Sequence, residues 1–509
     1  MSEKLQKAIS FAIASGYQLE KGAFDFLETV SQTGDPVQLM EETIKKVETL
    51  PEKPLFINRG ILEETMKQVF PEKEEAKPPP LQPIMEARKA VFRAYAKDVD
   101  ADIKVIEDPT DKICTTGSME EYLEYFQDRF KRIRRFLRKR VDTKDATTIS
   151  GALKARVNSK FKIIGMITEK RERKQRLFLK VDDLEASATV LVPSQVMEKA
   201  RVLLLDQVVC ISVIKGKNDL LIAKDFFLPD VPQKTPHKAS IPVHAALLSD
   251  LHVGSGMFMR EALQRFMLWL NGKFGNKKMR ETASHVKYVV IAGDLVDGVG
   301  VYPGQMKELT IKDVYEQYRA VAKFIEQIPD YIELIVIPGN HDASRKALPQ
   351  PAIPRVYAEP LCEARKVFSL GDPAMVSLHD VGLLVYHGRS LDDIVGATPN
   401  VSFYTPDKAM KILLKSRHLA PIYGQKTPIA PEKRDFMVIE RVPDIFHTGH
   451  VHVMRHDTYR GILMVNSGAW QSRTEYQRKM GLEPTPGIVP IVNLQTLRVT
   501  TIPFVTSYT

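Results

Sequence analysis

Histidine is the residue type that first marks out a region of this chain. All twelve lie between His237 and His456, and none occurs in the first 236 residues. Imidazole serves as metal ligand and as acid or base near neutral pH, so the chemistry belongs to the C-terminal half. There one local arrangement recurs five times: an apolar run, then polar residues at its exit. HAALLSDLH ends in Asp250 and His252, KYVVIAGDLVD in Asp294 and Asp297, and LIVIPGNHD in Asn340, His341 and Asp342. GLLVYHG carries His387, and DIFHTGHVH ends in His450 and His452. Carboxylate, amide and imidazole together suit borderline divalent ions such as Mn2+, Zn2+, Fe2+ or Ni2+; a softer thiolate site would need cysteine, and none is near. Two such ions can share a carboxylate and hold a phosphate between them, which is the two-metal route to phosphoester cleavage.

DLH, GDLVD, GNHD, HG and GHVH, in this order, resemble the signature of the calcineurin-like metallophosphoesterases, and the match covers residues 243 to 470. The resemblance implies that Asp250, His252, Asp294 and His452 hold one metal. Asp294 would bridge to a second, completed by Asn340, His387 and His450. It also implies that His341 protonates the leaving oxygen or stabilises the transition state, with Asp297 orienting it. His447 lies inside a strand pattern and reads as core. His244, His285, His379, His418 and His456 lack motif context and read as surface or packing residues. Arg345, Arg389 and Arg473 are candidates for substrate phosphate, although solvated arginines are commoner.

Such a constellation needs strands to aim it. Ligands in open α/β folds gather at the carboxyl ends of strands, so the five motifs should converge. Gly293, Gly339, Gly388 and Gly449 permit the tight turns this requires. Ahead of this domain (243–509) the pattern changes. FKIIGMI, RLFLKVD, SATVLVP, QVVCISVI and LLIAKDFF are five β-branched runs in about eighty residues. They predict a small closed barrel of the oligonucleotide/oligosaccharide-binding kind over 146–232. Phe161, Phe178, Phe226 and Phe227 read as core rather than as a stacking row, so the barrel is expected to dock on protein. VPQKTPHKASIP links it to the last domain.

Residues 71–145 read as linker and basic helix. PEKEEAKPPPLQP, Pro71 to Pro83, favours extended backbone. Met119 to Arg140 predicts one long helix with an apolar stripe of Tyr122, Phe126, Phe130, Ile133 and Leu137. Lys131, Arg132, Arg134, Arg135, Arg138, Lys139 and Arg140 crowd its second half. A solvated basic face is the usual meaning of such a run, and contact with phosphates the sharper one. Residues 1–70 read as a helical head: Leu5, Ala8, Ile9, Ala12 and Ile13 have helical spacing, and Gly16 ends the run. Asp35, Pro36 and Gln38 resemble an N-cap, a first-turn proline and a capping-box partner. The expected fold is thus multidomain: an α/β phosphoesterase sandwich preceded by an OB-like barrel and an N-terminal α-helical domain.

Bulk properties set the context. At 509 residues the chain exceeds a single core. No apolar run is long enough to span a membrane, and the N-terminus has no signal-peptide pattern. Cys114, Cys210 and Cys362 are too scattered for a disulfide framework, which points to a reducing, cytoplasmic setting. A net charge of +10 and a pI near 9.1 favour polyanionic partners, nucleic acid above all.

Helical head, proline linker, barrel, then phosphoesterase is an order similar to that of the small subunits of archaeal family-D DNA polymerases, across essentially the whole chain. The barrel-plus-phosphoesterase pair also resembles the B-subunits of eukaryotic replicative polymerases, which have lost metal ligands, whereas every ligand position here is filled. The resemblance implies a 3′→5′ proofreading exonuclease with two divalent ions, Mn2+ foremost. It also implies a separate large catalytic polymerase subunit as partner and single-stranded or mismatched DNA 3′ ends as substrate. Two other readings stay open. One is a stand-alone metallophosphoesterase for another substrate class, against which the barrel and basic helix count. The other is a scaffold subunit with a vestigial site, against which the intact ligand set counts.

Overall fold

The computed structural model describes residues 3–33, 35–50, 53–69, 92–174 and 176–505. The proline linker expected at Pro71 to Pro83 lies outside these. Two compact units are present, residues 1–90 and 91–509.

The first unit is built from helices α1 (Glu3–Ala14), α2 (Lys21–Thr33), α3 (Pro36–Glu48) and α4 (Arg59–Val69), with short strands β1 (Gln18–Leu19) and β2 (Phe56–Ile57) paired in parallel. Leu5, Ala8 and Ala12 are fully buried, as the spacing predicts, and Gly16 ends α1 at φ +87°. Ile13 is 64% exposed, because it stands a quarter-turn off the buried row. Asp35 caps α3 by accepting from Val37 N at 3.1 Å, with Pro36 in the first turn. The capping box expected with Gln38 does not form; the Asp35 carboxylate alone caps the turn.

The second unit begins with β3 (Ile103–Glu107) and α5 (Met119–Arg138). Ser118 and Glu121 form a capping box that fixes the start of α5. Its buried face includes Tyr125, Arg129, Phe130, Ile133 and Leu137, while Tyr122 and Phe126, expected in the apolar stripe, are only partly buried. A buried arginine is the reason. Arg129 reaches Asp435 at 2.8 Å and the Tyr125 hydroxyl at 2.5 Å, and helical spacing by polarity assigns such a residue to solvent. After α6 (Ile149–Lys154) come β4 (Lys160–Arg173), β5 (Arg176–Asp182), β6 (Ser187–Val192), α7 (Met197–Arg201), β7 (Val208–Lys215) and β8 (Leu220–Phe227). The five strands close into a barrel in the order β4-β5-β6-β8-β7. Its core takes alternate residues, for example Leu177, Leu179 and Val181 of β5. Phe226 is buried, but Phe178 faces outward between Leu177 and Leu179 and is only half-buried, which corrects its reading as core.

The remaining strands are β9 (His244–Leu248), β10 (Val286–Ala292), β11 (Glu333–Ile337), β12 (Val367–Ser369), β13 (Ala374–Leu378), β14 (Val381–Val385), β15 (Ile445–Thr448), β16 (Arg455–Tyr459), β17 (Ile462–Asn466), β18 (Ile488–Asn493) and β19 (Val499–Pro503). Helices α8 (Arg260–Leu270), α9 (Lys277–Ser284), α10 (Val314–Ile325), α11 (Arg355–Ala364), α12 (Leu391–Ala397), α13 (Pro406–Ser416) and α14 (Glu475–Lys479) intervene. Two six-stranded sheets result, β12-β11-β10-β9-β18-β19 and β16-β17-β15-β14-β13-β3. They pack face to face over an apolar layer that includes Leu247, Val290, Ile335, Leu383 and Val465. The outer faces are covered by α8, α10 and α11 on one side and α12 and α13 on the other. β9, β10 and β11 run parallel, as do β14, β15 and β17, so their carboxyl ends emerge along one edge of the sandwich. The stretch read as linker and helix thus also supplies β3, which pairs antiparallel with β13. No described helix is long and apolar enough to cross a membrane.

Candidate metal centre

Each of the five motifs leaves its strand within a few residues and turns inward at that edge. Asp250 and His252 follow β9, Asp294 follows β10, Asn340 follows β11, His387 follows β14, and His450 and His452 follow β15. The turns are tight enough to need left-handed backbone at non-glycine positions: φ is +54° at Asp250, +50° at His252, +54° at Asp294, +70° at His450 and +59° at His452. Such conformations cluster at functional sites because the surrounding fold holds them there. At Gly339 and Gly449 the need is space. A Cβ on Gly339 would collide with Asp294 Oδ1, and one on Gly449 would collide with Ser249 and Asp250 Oδ2.

The structure brings all seven expected ligands together. Nε2 of His252 lies 3.1 Å from Nε2 of His452, 3.9 Å from Asp250 Oδ1 and 3.7 Å from Asp294 Oδ2. Nε2 of His387 lies 3.3 Å from Asp294 Oδ2 and 3.0 Å from Asn340 Oδ1. Among the described residues three groups have ligand atoms close enough for one ion: Asp250, His252 and His452; Asp294, His387 and His450; and His252, Asp294 and His341, which shares a residue with each. Asp294 thus faces both of the first two groups.

The donor set fits divalent cations on three counts. Asp250 Oδ1 is fully buried without a hydrogen-bond partner among the described residues, an arrangement that costs free energy unless something positive meets it. Burial should lower the imidazole pKa values, yet the Asp297 hydrogen bond and the charges of Asp294, Asp297 and Asp250 outweigh it and raise His252 to about 9. His387 is likewise raised against burial, to about 10, by Asp294, Asp250 and Asp372. The cluster is short of positive charge, and protons on these two rings stand where metal charge would serve.

Surrounding residues lock the rings. Nδ1 of His252 faces the Asp297 carboxylate at 3.1 Å, and His387 donates from Nδ1 to the Ala292 carbonyl at 2.8 Å. Asp297 was expected to orient His341 through its carboxylate. Instead that carboxylate serves His252, and it is the Asp297 backbone carbonyl that accepts from His341 Nδ1, at 2.7 Å. The ring of His341 stacks edge-on to His252, 4.6 Å between centroids, and burial lowers its pKa to about 4.

Several residues here have supporting places that sequence reasoning did not assign. Asp342, visible in GNHD, is buried and accepts from Leu295 N, Gly339 N and the Tyr318 hydroxyl, tying the GDLVD and GNHD turns together. Gln305 and Gln471 donate to the Asp297 carboxylate, and Gln477 lies 3.0 Å from His452 Nδ1. Asp392 stands 3.5 Å from His450 Nε2. Nothing local in the sequence singles out the glutamines or Asp392.

The remaining candidates have partners of their own. Arg345 is paired with Glu432 and Arg473 with Glu483, while Arg389 donates to the Lys346 carbonyl. His447 is buried in β15 against the Ser467 hydroxyl, and His418 is buried against Asp435. Of the α5 cations, Arg132 and Arg135 pair with Glu440, and Arg140 with Asp142. The helix therefore spends much of its charge on its own chain.

Residues 245–454 match the family model for the B-subunits of DNA polymerases alpha and epsilon. The chain is 39% identical to the DNA polymerase II small subunit of Archaeoglobus fulgidus, covering 94% of each. It is 36% identical to that of Methanothermobacter thermautotrophicus, over 90% of this chain and 92% of the relative. With the Pyrococcus furiosus small subunit it shares 41% identity over 75% of this chain and 63% of the relative. Among solved structures, an archaeal phosphodiesterase aligns at 13% identity and TM-score 0.26, over 51% of this chain and 99% of its own. The telomere capping protein Ten1 aligns at 13% identity and TM-score 0.13, over 16% of this chain and 77% of its own. At those scores neither carries an argument.

Proposed function

Because the chain belongs to the family of archaeal DNA polymerase II small subunits, we propose that it is the 3′→5′ proofreading exonuclease of such a polymerase, acting beside a large catalytic subunit. The observation that carries this is the meeting of Asp250, His252 and His452 in one group and Asp294, His387 and His450 in the next, with Asn340 beside His387 and with Asp250 Oδ1 buried without a hydrogen bond among the described residues.

In this reading Asp250, His252, Asp294 and His452 would hold one divalent ion, and Asp294, Asn340, His387 and His450 a second, with Mn2+ among the ions that mixed oxygen and nitrogen donors accept. Bound ions of this kind neutralise the phosphodiester and supply the attacking water. The chain's own residues do the rest. Asp297 and the Ala292 carbonyl keep His252 and His387 in orientation. His341, held at Nδ1 by the Asp297 carbonyl, has only Nε2 left to exchange a proton. The negative phosphodiester favours the protonated ring, and the Nε2 proton passes to the leaving 3′ oxygen as the phosphorus–oxygen bond breaks. Because the ligands are buried, the 3′ end must leave its duplex to reach them. An unpaired end costs less to extract than a paired one, by a few kcal/mol, which supplies mismatch preference without reading bases.

The test is Mn2+-dependent digestion of 5′-labelled oligonucleotides with paired and mismatched 3′ ends by the full chain. Stepwise shortening from the 3′ end, faster on the mismatch, is the expected result. Digestion of phosphoproteins or cyclic nucleotides in preference to DNA would overturn the reading.

A further inference from the structure

The outer face of the barrel carries a row that crosses its strands. Arg171 on β4 stands opposite Phe178 on β5, Phe178 opposite Leu191 on β6, and Leu191 beside Ile222 on β8. Phe178 is half-buried and lines a hollow of about 410 Å³ together with Arg171, Arg173 and Lys180. A second hollow, about 600 Å³, shares Glu169 and Arg171 with the first and lies between β4 and the sandwich. Its far wall includes Asp392 and Lys426, and Asp392 is the residue 3.5 Å from His450 Nε2. The two hollows thus adjoin at Glu169 and Arg171, with an aromatic ring at one end and, at the other, the Asp392 carboxylate that pairs with His450.

The chemistry of this pair of hollows selects its occupant. Acidic groups along it are already engaged: Glu169 with Arg171 and Lys180, Asp392 with His450, and Asp393 with the backbone N–H groups of Lys426 and Thr427. The side chains of Arg173 and Lys426 form no ion pair among the described residues, so they are the charges that an arriving polyanion meets first, with Arg171 and Lys180 sharing the single carboxylate of Glu169 beside them. A half-buried phenyl ring set among cations is the pairing that binds unpaired strands, through base stacking and phosphate contacts together. A duplex keeps its base faces inward and offers Phe178 nothing to stack on.

We propose that this pair of hollows is a track for single-stranded DNA, which lays a base on Phe178 and leads the 3′ end past Lys426 and Asp392 to the metal centre. The proposal rests on the exonuclease reading for its direction, and on the barrel face alone for binding.

The test uses the full chain with Mn2+ and two substrates, a dinucleotide too short to reach the barrel and a long single-stranded oligonucleotide. The ratio of kcat/KM on the long strand to that on the dinucleotide should fall about tenfold in Phe178→Leu, the loss of one stacked base. Phe178→Tyr should restore it, which a merely structural role would not require. With the metal chelated, Arg171→Gln combined with Arg173→Gln should weaken binding of the long strand and flatten its salt dependence. A parent that digests DNA, with variants that keep both the ratio and the affinity, overturns the track and leaves the exonuclease reading standing. A parent that cleaves neither substrate overturns the exonuclease reading. Binding then decides the track: loss in Phe178→Leu sustains it, and unchanged affinity ends it.

Discussion

The Nδ1 of His341 lies 2.7 Å from the backbone carbonyl of Asp297, so the ring is carried by main chain and not by the carboxylate beside it. Substitutions at these two positions should therefore separate. His341→Ala is expected to keep its metal and lose about two to four powers of ten in single-turnover rate. Asp297→Asn leaves the carbonyl in place but removes the charge on His252 Nδ1, so its effect should fall on metal affinity, about 10- to 100-fold. Asp294→Ala should lose metal outright. Metal content and single-turnover rate, measured side by side, decide; metal loss in His341→Ala would make it a ligand.

Metal binding should expel protons. With His252 raised to about 9 and His387 to about 10, both rings hold protons at neutral pH until a cation takes their place. Mn2+ affinity is therefore expected to rise with pH across the neutral range. Calorimetry in two buffers of different ionisation enthalpy should show proton release on titration. Nuclease activity should vanish in chelator and return best with Mn2+; activity that survives exhaustive metal removal would sink the two-metal mechanism.

Helix α5 behaves as a clamp. Arg129 and Asp435 are both fully buried and 2.8 Å apart, so removing either partner strands a charge in the interior. Arg129→Ala should cost about 3–5 kcal/mol in urea unfolding. Arg132→Gln and Glu440→Gln, alone and together, should be non-additive in the same assay. Since these cations face their own chain, their loss should leave the salt slope of DNA binding unchanged. A reduced slope would return α5 to the DNA surface.

Acid should weaken the fold through His418. Burial and the nearby Arg129 lower its pKa to about 4, although Asp435 works the other way. Its tautomer is fixed, since Ala420 N donates to Nδ1 and Nε2 faces Asp435 at 2.7 Å. A folded pKa below the unfolded 6.5 means the unfolded chain binds the extra proton, so this contribution is present above pH 6.5 and lost as pH falls toward 4. His418→Gln, which keeps a donor for Asp435, should flatten the stability curve of the metal-free protein there by about 1.4 kcal/mol per pH unit. Parallel curves for parent and variant would refute the assignment.

The candidate metal ligands are legible because each sits shortly after an apolar strand, where type and position coincide. The barrel strands are legible for the same reason of local pattern. What escaped depends on distant partners. Arg129 reads as a surface cation until Asp435, 306 residues on, is folded against it. β3 is a short, charged segment that becomes a strand by pairing with β13 at a sheet edge. Gln305, Gln471 and Gln477 acquire meaning only from the rings and carboxylate they touch. Asp297 comes from the family resemblance of GDLVD, but a motif cannot tell a carboxylate from the carbonyl of the same residue.

The left-handed turns at Asp250, His252, Asp294, His450 and His452 bear on how such a subunit can change over time. Backbone of this shape tolerates asparagine, aspartate, histidine and glycine far better than branched or bulky residues. A lineage released from the need for hydrolysis can thus exchange these ligands for asparagine or glycine one at a time, and the turns keep their course. The sandwich, whose apolar layer lies behind the ligands, survives each exchange. The proposed catalysis is thus a removable layer on a durable frame, and a descendant without it would still keep the surfaces of the sandwich.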